Sequence, residues 1–344
     1  MTRRFIIAAL AITSLFTANT QTTKGSSDIN DGPYIFIEDQ QLVQKSVVDG
    51  AVVQKELMAD AYDTTFRVEP STYTDVEKIG ALSDIHGQFD LAVKILQNNN
   101  IIDDKLNWSY GKGHLVIVGD IFDRGDKVTE VLWLIHKLEK QAQLAGGNLH
   151  YLLGNHEYMV LHKDLRYLHE KYPVVSELLE MSYDDLYGKN TVLGRWLRSK
   201  HTIIKINEHV FVHGGISNAF LSTVGFDLAS INKTMRKSID RSKEEMKKTD
   251  FYKTYYGSSG PIWYRGYFYG DLSDQAIDSV LTRTNSEHVV VGHCSNTEVV
   301  SLFNNKIFGV DSSIKNGRYG EVLFLSGNRY YRGTKEGKLV EFGF

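Results

Sequence analysis

Three aspartates and an arginine crowd the end of one apolar run. The segment "VIVGDIFDRGDK" at 116–127 passes from valine and isoleucine to Asp120, Asp123 and Arg124 within a few residues, with a further aspartate behind them. Carboxylates this close repel one another unless they are solvated or a positive charge lies among them. The spacing therefore predicts a site in which some cation offsets the carboxylates.

Other short apolar runs end in the same kind of polar residue. The segments "SDIHG", "GNHE", "HGG" and "GHC" supply the remaining candidates, which are Asp84, His86, Asn155, His156, His213 and His293. Runs of this length and composition predict buried β-strands. Because ligands bind at the carboxyl ends of strands in α/β sheets, we expect these side chains to meet in one site.

The donor set indicates divalent metal ions. Carboxylate oxygens, an amide oxygen and imidazoles are typical ligands of first-row divalent ions. The single cysteine, Cys294, excludes a cysteine-rich zinc site. The inventory exceeds what one ion needs, whereas two ions bridged by one aspartate would use it fully. Two ions about 3.5–4 Å apart stabilise the attacking and leaving oxygens in displacement at phosphorus.

The elements that must position these residues read as alternating strands and helices. "KIGALSD", "HLVIVGD", "LHYLLGNHE", "HVFVHGG", "HVVVGHC" and "KIFGVDS" predict six strands. Val128, Val131, Leu132, Ile135 and Leu138 recur at helical spacing, so they share one face of a helix. Strand, loop, helix and strand in succession predict an α/β fold.

The motifs resemble a known family. "SDIHGQFD", "GDIFDRGD", "GNHE", "HGG" and "VGH", in this order, resemble the calcineurin-like metallophosphoesterases. "DRG" together with "GNHE" resembles the phosphoprotein phosphatase branch, and "PIWYRG" at 261–266 resembles its bacterial Shewanella-like protein phosphatases. The resemblance covers residues 78–312. It implies a metallophosphoesterase-type two-sheet sandwich flanked by helices, in αββα layers.

The resemblance implies a role for each matching residue. The metal ligands would be Asp84, His86, Asp120, Asn155, His213 and His293. Asp120 would bridge the two ions, with Asp84 and His86 completing the first site. Manganese, iron and zinc all suit these donors, so the ligands do not select the metal.

The remaining motif residues would handle the phosphoryl group. The resemblance implies that Arg124 and Arg265 grip its oxygens, since a guanidinium fork matches phosphate geometry. His156 would protonate the leaving oxygen, oriented by Asp123. A metal-activated water would attack phosphorus directly, with no phospho-enzyme. Cys294 is then a small buried filler and not a nucleophile.

The substrate is less sharply specified. The segment 251–270 is rich in aromatics around Arg265. These rings could wall a pocket for phosphotyrosine, or they could pack the loop against the sheet. Leu153 stands where eukaryotic relatives carry arginine, which weakens transfer of their serine/threonine preference. The resemblance favours a phosphoprotein phosphatase that prefers phosphotyrosine, acting on a phosphorylated protein or a small phosphomonoester.

Two alternatives stay open at this point. A dinucleoside polyphosphate or phosphodiester hydrolase would use the same metal site. A non-catalytic phosphate-binding module would lack a ligand or the acid, yet every motif residue is present. The formal net charge of −3 over 344 residues, with no basic face evident, predicts no nucleic-acid partner.

The N-terminus predicts export. Arg3 and Arg4 precede an apolar run at 5–16 and then small residues, the order of a secretory signal peptide. We therefore expect a signal peptide at 1–20, a periplasmic or secreted protein, and no membrane span in the mature chain. Residues 21–75 predict an extension that is loose at first and then mixed strand and helix. Residues 76–344 would form the catalytic domain.

Overall fold

The computed structural model describes residues 28–39 and 41–343. The predicted signal peptide at 1–20 therefore lies outside the described residues. Among the helices of the described ranges, none is both long and apolar enough to cross a bilayer.

The chain alternates strands and helices through most of its length. The strands are β1 (Asp31–Glu38), β2 (Gln41–Val48), β3 (Ala51–Leu57), β4 (Thr72–Tyr73), β5 (Ile79–Leu82), β6 (His114–Ile117), β7 (Asn148–Tyr151), β8 (Ile203–Ile206), β9 (His209–Val212), β10 (His288–Val291), β11 (Val300–Leu302), β12 (Ile307–Gly309), β13 (Glu321–Ser326), β14 (Arg329–Thr334) and β15 (Leu339–Glu341). The α-helices are α1 (Phe89–Asn98), α2 (Val128–Leu144), α3 (Asn155–Leu161), α4 (Lys171–Leu178), α5 (Val192–Leu197), α6 (Asn218–Val224), α7 (Leu228–Ser238), α8 (Lys243–Lys247), α9 (Asp250–Tyr256), α10 (Gly266–Tyr269) and α11 (Asp274–Thr284). Short 3₁₀ turns lie at Asp185–Tyr187 and Ile314–Asn316.

Two six-stranded mixed sheets face each other. One has the strand order β15-β14-β13-β5-β6-β7 and the other β11-β12-β10-β9-β8-β4. Between them lies an apolar core that includes Ala81, Val116, Phe211, Val290 and Leu323, all fully buried. Strands buried on both faces are apolar along their whole length, which explains their continuous valine and isoleucine runs. All six predicted strands are present, and the two-sheet sandwich is confirmed.

Helices cover the outer faces of the sandwich. The predicted face of α2 is buried, with Leu132 and Leu138 fully inaccessible in the core that also contains Leu115 and Leu149. On the other sheet, Ile231 of α7 and Ile277 of α11 pack into a second outer core. The layers are therefore helix, sheet, sheet and helix, as the resemblance implied.

A third, three-stranded antiparallel sheet, β1-β2-β3, lies beside α2. Tyr34 and Phe36 of β1 are buried in the same core as α2, and Trp133 donates its indole N–H to the carbonyl oxygen of Pro33 at 2.8 Å. The sequence indicated strands here and left a helix open. The chain between β3 and α1 forms strands β4 and β5 and turns instead. The division at residue 75 stays a prediction.

Two buried histidines lie on neighbouring strands of the first sheet, His114 at the start of β6 and His150 within β7. His114 and His150 share a hydrogen bond of 3.0 Å between ring nitrogens, and burial lowers the pKa of His114 to about 4. An unfolded imidazole titrates near 6.5. Between these values the unfolded chain binds a proton that the folded chain excludes. Protonation of the unfolded chain at this histidine therefore lowers the free energy of unfolding as the pH falls from 6.5 toward 4. Above pH 6.5 both states are neutral at this position and the full stability is present.

We predict that His114→Gln flattens the pH dependence of folding. The free energy of unfolding, measured by urea titration with chelator present, should fall more steeply from pH 6.5 to 4 for the wild type than for the variant. His169→Gln, at a half-buried histidine outside this pair, serves as the control and should keep the wild-type slope. Identical slopes for the wild type and His114→Gln would contradict the account.

Candidate active site

The predicted site residues meet where the two sheets present the carboxyl ends of their parallel strands. Asp84 and His86 follow β5, and Asp120 follows β6. Asn155 and His156 open α3 directly after β7. From the other sheet, the residues that follow β9 and β10 are His213 and His293. The sandwich thus brings five separate strand ends to one place.

Asp120 lies at the centre of the site. Its Oδ2 atom is 3.1 Å from Nε2 of His213, 3.8 Å from Nε2 of His86 and 3.9 Å from Nε2 of His156. Its Oδ1 atom accepts the backbone N–H of His156 at 3.0 Å. One fully buried carboxylate oxygen therefore faces three imidazoles. This is the arrangement expected of a bridging ligand.

Two overlapping groups of donors surround this carboxylate. Donor atoms within 4.8 Å of one another define one group of His86, Asp120 and His156 and a second of Asp120, His213 and His293. Asp84 Oδ1 lies 3.7 Å from His86 Nε2, and Asn155 Oδ1 lies 2.9 Å from His213 Nε2. All six predicted ligands are thus brought together, and His156 joins them.

Backbone carbonyls orient two of the imidazoles. His86 Nδ1 donates to the carbonyl oxygen of Phe122 at 2.6 Å, and His213 Nδ1 donates to that of Val118 at 2.8 Å. A carbonyl only accepts, so each Nδ1 carries a hydrogen and each Nε2 faces the carboxylates. This second partner is what metal-binding histidines have in proteins.

The charges of the site fit a cation centre. Burial lowers the pKa of His213, but the carboxylates of Asp120 and Asp84 outweigh it and raise that pKa to about 10. Burial and the neighbouring His213 lower the pKa of His293 to about 3. His293 Nε2 is buried and has no hydrogen-bond partner among the described residues. A bare imidazole nitrogen beside buried carboxylates suits a divalent metal ion.

His156 and Asp123 form a close pair. His156 Nδ1 lies 2.5 Å from Asp123 Oδ2, and both side chains are buried. Burial lowers the pKa of His156, but the charges of Asp120 and Asp123 outweigh it and raise that pKa above its ordinary value. The pair leaves Nε2 facing Asp120. A protonated imidazole held in this way can donate a proton into the site.

One arginine lies beside each group of donors. Arg124 is exposed, and its charge acts on His156. Arg265 is also exposed, and its guanidinium carbon lies 5.7 Å from the ring centre of Trp263. The Trp263 ring in turn lies 5.4 Å from that of His293. Since neither guanidinium group has an ion-pair partner among the described residues, both can bind an anion at the site.

The aromatic segment 251–270 mostly packs the loop. Tyr256 shares a hydrogen bond of 2.6 Å with Ser238, and Tyr267 donates to the carbonyl oxygen of Ile216 at 2.7 Å. Within the segment, Trp263 is the residue whose ring contacts a predicted ligand. The packing role that the sequence left open therefore accounts for Tyr256 and Tyr267.

Glu157 is a site residue that the sequence reasoning missed. Its fully buried carboxylate accepts four backbone N–H groups, from Asp120 at 2.9 Å, Ile121 at 2.7 Å, Phe122 at 3.3 Å and Gly154 at 2.6 Å. It thereby ties the loop after β6 to the turn before α3. The available signal was its place as the third residue of a helix, where glutamate reaches back to cap the N-terminus.

Asp311 and Ser83 were also missed. Asp311 follows β12 and accepts a hydrogen bond from Ser295 at 2.6 Å, while burial and the charge of Asp84 raise its pKa to about 7. Ser83 donates to Asp84 Oδ2 at 2.5 Å, which leaves Asp84 Oδ1 toward His86. The sixth apolar run, "KIFGVDS", ends at Asp311, so the rule of polar strand ends already indicated it.

Comparison with known proteins identifies the family. The family model for calcineurin-like phosphoesterases matches residues 77–294. The crystal structure of a cold-active protein-tyrosine phosphatase from a psychrophilic Shewanella species is 40% identical, with a TM-score of 0.88 over 92% of this chain and 100% of that one. The chain belongs to the calcineurin-like phosphoesterase family.

Two curated relatives carry related names. Shewanella-like protein phosphatase 1 of Plasmodium berghei is 25% identical over 69% of this chain and 67% of its own length. Shewanella-like protein phosphatase 2 of Arabidopsis thaliana is 34% identical over 28% of this chain and 24% of its own length. The family and the fold were thus predicted correctly. Family membership supports a hydrolase that acts on phosphomonoesters, and the two groups of donors suggest a dimetal site.

We predict that Asp120→Asn loses bound metal and phosphatase activity together. The amide lacks the charge that offsets the ions and turns a hydrogen-bond donor toward the imidazoles. The loss should be at least the roughly 10- to 100-fold seen when an outer partner of a metal ligand is removed. Elemental analysis and hydrolysis of p-nitrophenyl phosphate measure both, with exposed Asp90→Asn as the control. A fully metallated, active Asp120→Asn would overturn the bridging assignment.

We predict that Glu157→Gln weakens metal binding although Glu157 is not a ligand. Each of its oxygens accepts two backbone N–H groups, so the amide leaves two of them unpaired, at about 1–3 kcal/mol each. The matched control is Glu321→Gln, another buried carboxylate that accepts the N–H of Val299. Both should lower the melting temperature. An unchanged metal affinity in Glu157→Gln, measured by competition with a chelator, would reject the positioning role.

Proposed function

We propose that this chain is an exported dimetal phosphoprotein phosphatase that favours phosphotyrosine. The observation that carries the proposal is the single buried oxygen of Asp120, which faces His86, His156 and His213 beside the His156–Asp123 pair. The protein-tyrosine phosphatase named above supports the choice of substrate, since it is 40% identical over nearly the whole chain.

The residues would divide the work between two ions. Asp84, His86 and Asp120 would hold one, and Asp120 with the second group of donors would hold the other, a group that comprises Asn155, His213 and His293. The ions would supply Lewis acidity at the phosphoryl group and activate the attacking water. Manganese, iron and zinc all fit nitrogen and oxygen donors, and the proposal leaves the choice among them open.

Arg124 and Arg265 would bind the phosphoryl oxygens. Both guanidinium groups are exposed, and one lies beside each group of donors. A planar fork can bind two oxygens of one phosphoryl group and so fix its orientation for in-line attack. Lysine at either position would retain the charge and lose the fork.

His156 would protonate the leaving group. As the bond between phosphorus and the ester oxygen breaks, the proton on His156 Nε2 passes to that oxygen, while the oxygen of water bonds to phosphorus. Asp123 holds Nδ1 at 2.5 Å and thus aims Nε2 toward Asp120 and the substrate. A general acid in this position contributes roughly 10²–10⁴-fold to the rate.

A substrate panel tests the proposal. The metal-loaded chain, and the same chain in chelator, would be given a phosphotyrosine peptide, a phosphoserine peptide of otherwise identical sequence, and a dinucleoside polyphosphate. Metal-dependent preference for the phosphotyrosine peptide is the expected result. Preference for the polyphosphate would keep the metal site and replace the substrate class. No hydrolysis of any of the three would overturn the enzymatic proposal and leave a phosphate-binding module.

Export is tested separately. If the predicted signal peptide at 1–20 is removed, a cell fraction from outside the cytoplasm should contain a chain shortened by about that length. Mass spectrometry of the mature N-terminus would locate the cleavage site. An uncleaved chain confined to the cytoplasm would reject this part of the proposal.

We predict that His156→Asn abolishes turnover and leaves metal content nearly unchanged. Asparagine cannot donate an acidic proton, whereas the six proposed ligands remain. The fall should approach the roughly 10²–10⁴-fold that a general acid contributes. Steady-state kinetics and elemental analysis on the same sample check it. Wild-type turnover would remove His156 as the acid, and loss of metal would show that it serves as a ligand.

A further inference from the structure

Tyr167 lies in the loop between α3 and α4, next to the proposed general acid. Its ring centre is 5.4 Å from that of His156, and the two planes are tilted by 55°. His156 is only 4% exposed, whereas Tyr167 is 43% exposed. Among the described residues the hydroxyl of Tyr167 has no hydrogen-bond partner, whereas the buried Tyr267 donates its hydroxyl hydrogen to the carbonyl oxygen of Ile216. An open aromatic surface thus borders the reacting group.

The position of this ring is fixed relative to the phosphate-binding residues. The backbone N–H of Arg124 donates to the carbonyl oxygen of Tyr167 at 2.9 Å, and the Arg124 guanidinium carbon lies 5.6 Å from the ring centre. The guanidinium of Arg166 lies 5.5 Å from the same ring and is held by two hydrogen bonds to Asp164, at 2.7 and 3.0 Å. Cation–π contacts of this kind orient an exposed ring.

The role of His156 as general acid determines which part of the substrate lies next to Tyr167. His156 must reach the leaving oxygen, so the carbon bonded to that oxygen lies within a few ångströms of its ring. In phosphotyrosine this carbon belongs to an aromatic ring, and in phosphoserine it is a methylene group. Aromatic rings interact favourably with centroids about 4.5–7 Å apart. The ring of Tyr167, next to His156, can therefore pack against the aromatic leaving group of phosphotyrosine but gains little from the methylene group of phosphoserine.

We infer that Tyr167 forms a subsite for the aryl leaving group and determines the preference for phosphotyrosine over phosphoserine. The inference rests on the proposed function. The aromatic wall of the phosphotyrosine pocket is thus assigned to Tyr167 and not to the segment 251–270. Within that segment Trp263 lies beside His293, in the other group of donors. Tyr269 of that segment is 73% exposed and contacts the ring of Phe268.

Tyr167→Leu removes the aromatic ring and Tyr167→Phe retains it, so together they separate the ring's contribution to substrate binding from a general loss of activity. The metal-loaded full-length variants would be assayed on the matched phosphotyrosine and phosphoserine peptides. Tyr167→Leu should raise KM for the phosphotyrosine peptide by roughly 3- to 10-fold, the contribution of one aromatic pair, with kcat nearly unchanged. The phosphoserine KM should stay within about twofold, since a methylene group gains little from the ring. Tyr167→Phe should behave as the wild type.

Calorimetry supplies a reading that does not depend on turnover. Benzylphosphonate carries an aromatic ring where phosphotyrosine does, and methylphosphonate carries none. Tyr167→Leu should weaken binding of benzylphosphonate by the same roughly 3- to 10-fold and leave methylphosphonate unchanged. Tyr269→Leu is the matched control, an exposed tyrosine in the segment that was first expected to form the wall, and should bind both as the wild type does.

The outcomes distinguish the inference from the function on which it rests. In one outcome the wild-type chain prefers phosphotyrosine while Tyr167→Leu raises KM equally for both peptides, or for neither. That result would overturn the Tyr167 subsite alone. A wild-type chain that hydrolyses neither peptide would overturn the proposed function first. If Tyr167→Leu fails to fold, Tyr167→Gln carries the same comparison, and retained aryl preference in it would reject the inference.

Discussion

The structure depends on buried negative charge at one edge of the sandwich. Asp84, Asp120 and Asp123 are each at most 2% exposed, in a setting where an uncompensated carboxylate is costly. The surrounding imidazoles compensate part of this charge, as the raised pKa of His213 indicates. Divalent ions would compensate the rest, and they would turn a destabilising cluster into a Lewis-acid site. Fold stability and chemistry are therefore coupled through the same residues.

The loops that hold this cluster have strained backbones. Six site residues outside glycine have positive φ, namely Asp84, His86, Asp120, Asp123, Arg124 and His293. Such conformations cost roughly 1–3 kcal/mol each and persist only where the surroundings enforce them. Glu157 does so for the loop after β6 with its four backbone hydrogen bonds. Close approach adds to the constraint, since a Cβ on Gly154 would lie 2.3 Å from Asp120 Oδ1.

The spacing of apolar residues and the polar residues at strand ends were enough to predict the strands and the site residues that follow them. The six apolar runs became strands, and their polar ends met at one place, because parallel strands in a layered fold present their carboxyl ends together. Glu157 was missed because its partners are backbone groups, which leave no pattern in side-chain types. Tyr167 was missed for a different reason. It lies eleven positions after His156 in a loop, where no period links it to the site, and the contacts that bring it there are the hydrogen bond from Arg124 and the packing of its ring against His156.

The location of the ions tests the account most directly. Crystals of the manganese-loaded chain, measured at the manganese absorption edge, would show anomalous peaks wherever ions bind. We predict two peaks about 3.5–4 Å apart, with Asp120 between them and Asn155, His213 and His293 around one of them. A single peak, or peaks away from Asp120, would contradict the claim that bridged cations offset the crowded carboxylates.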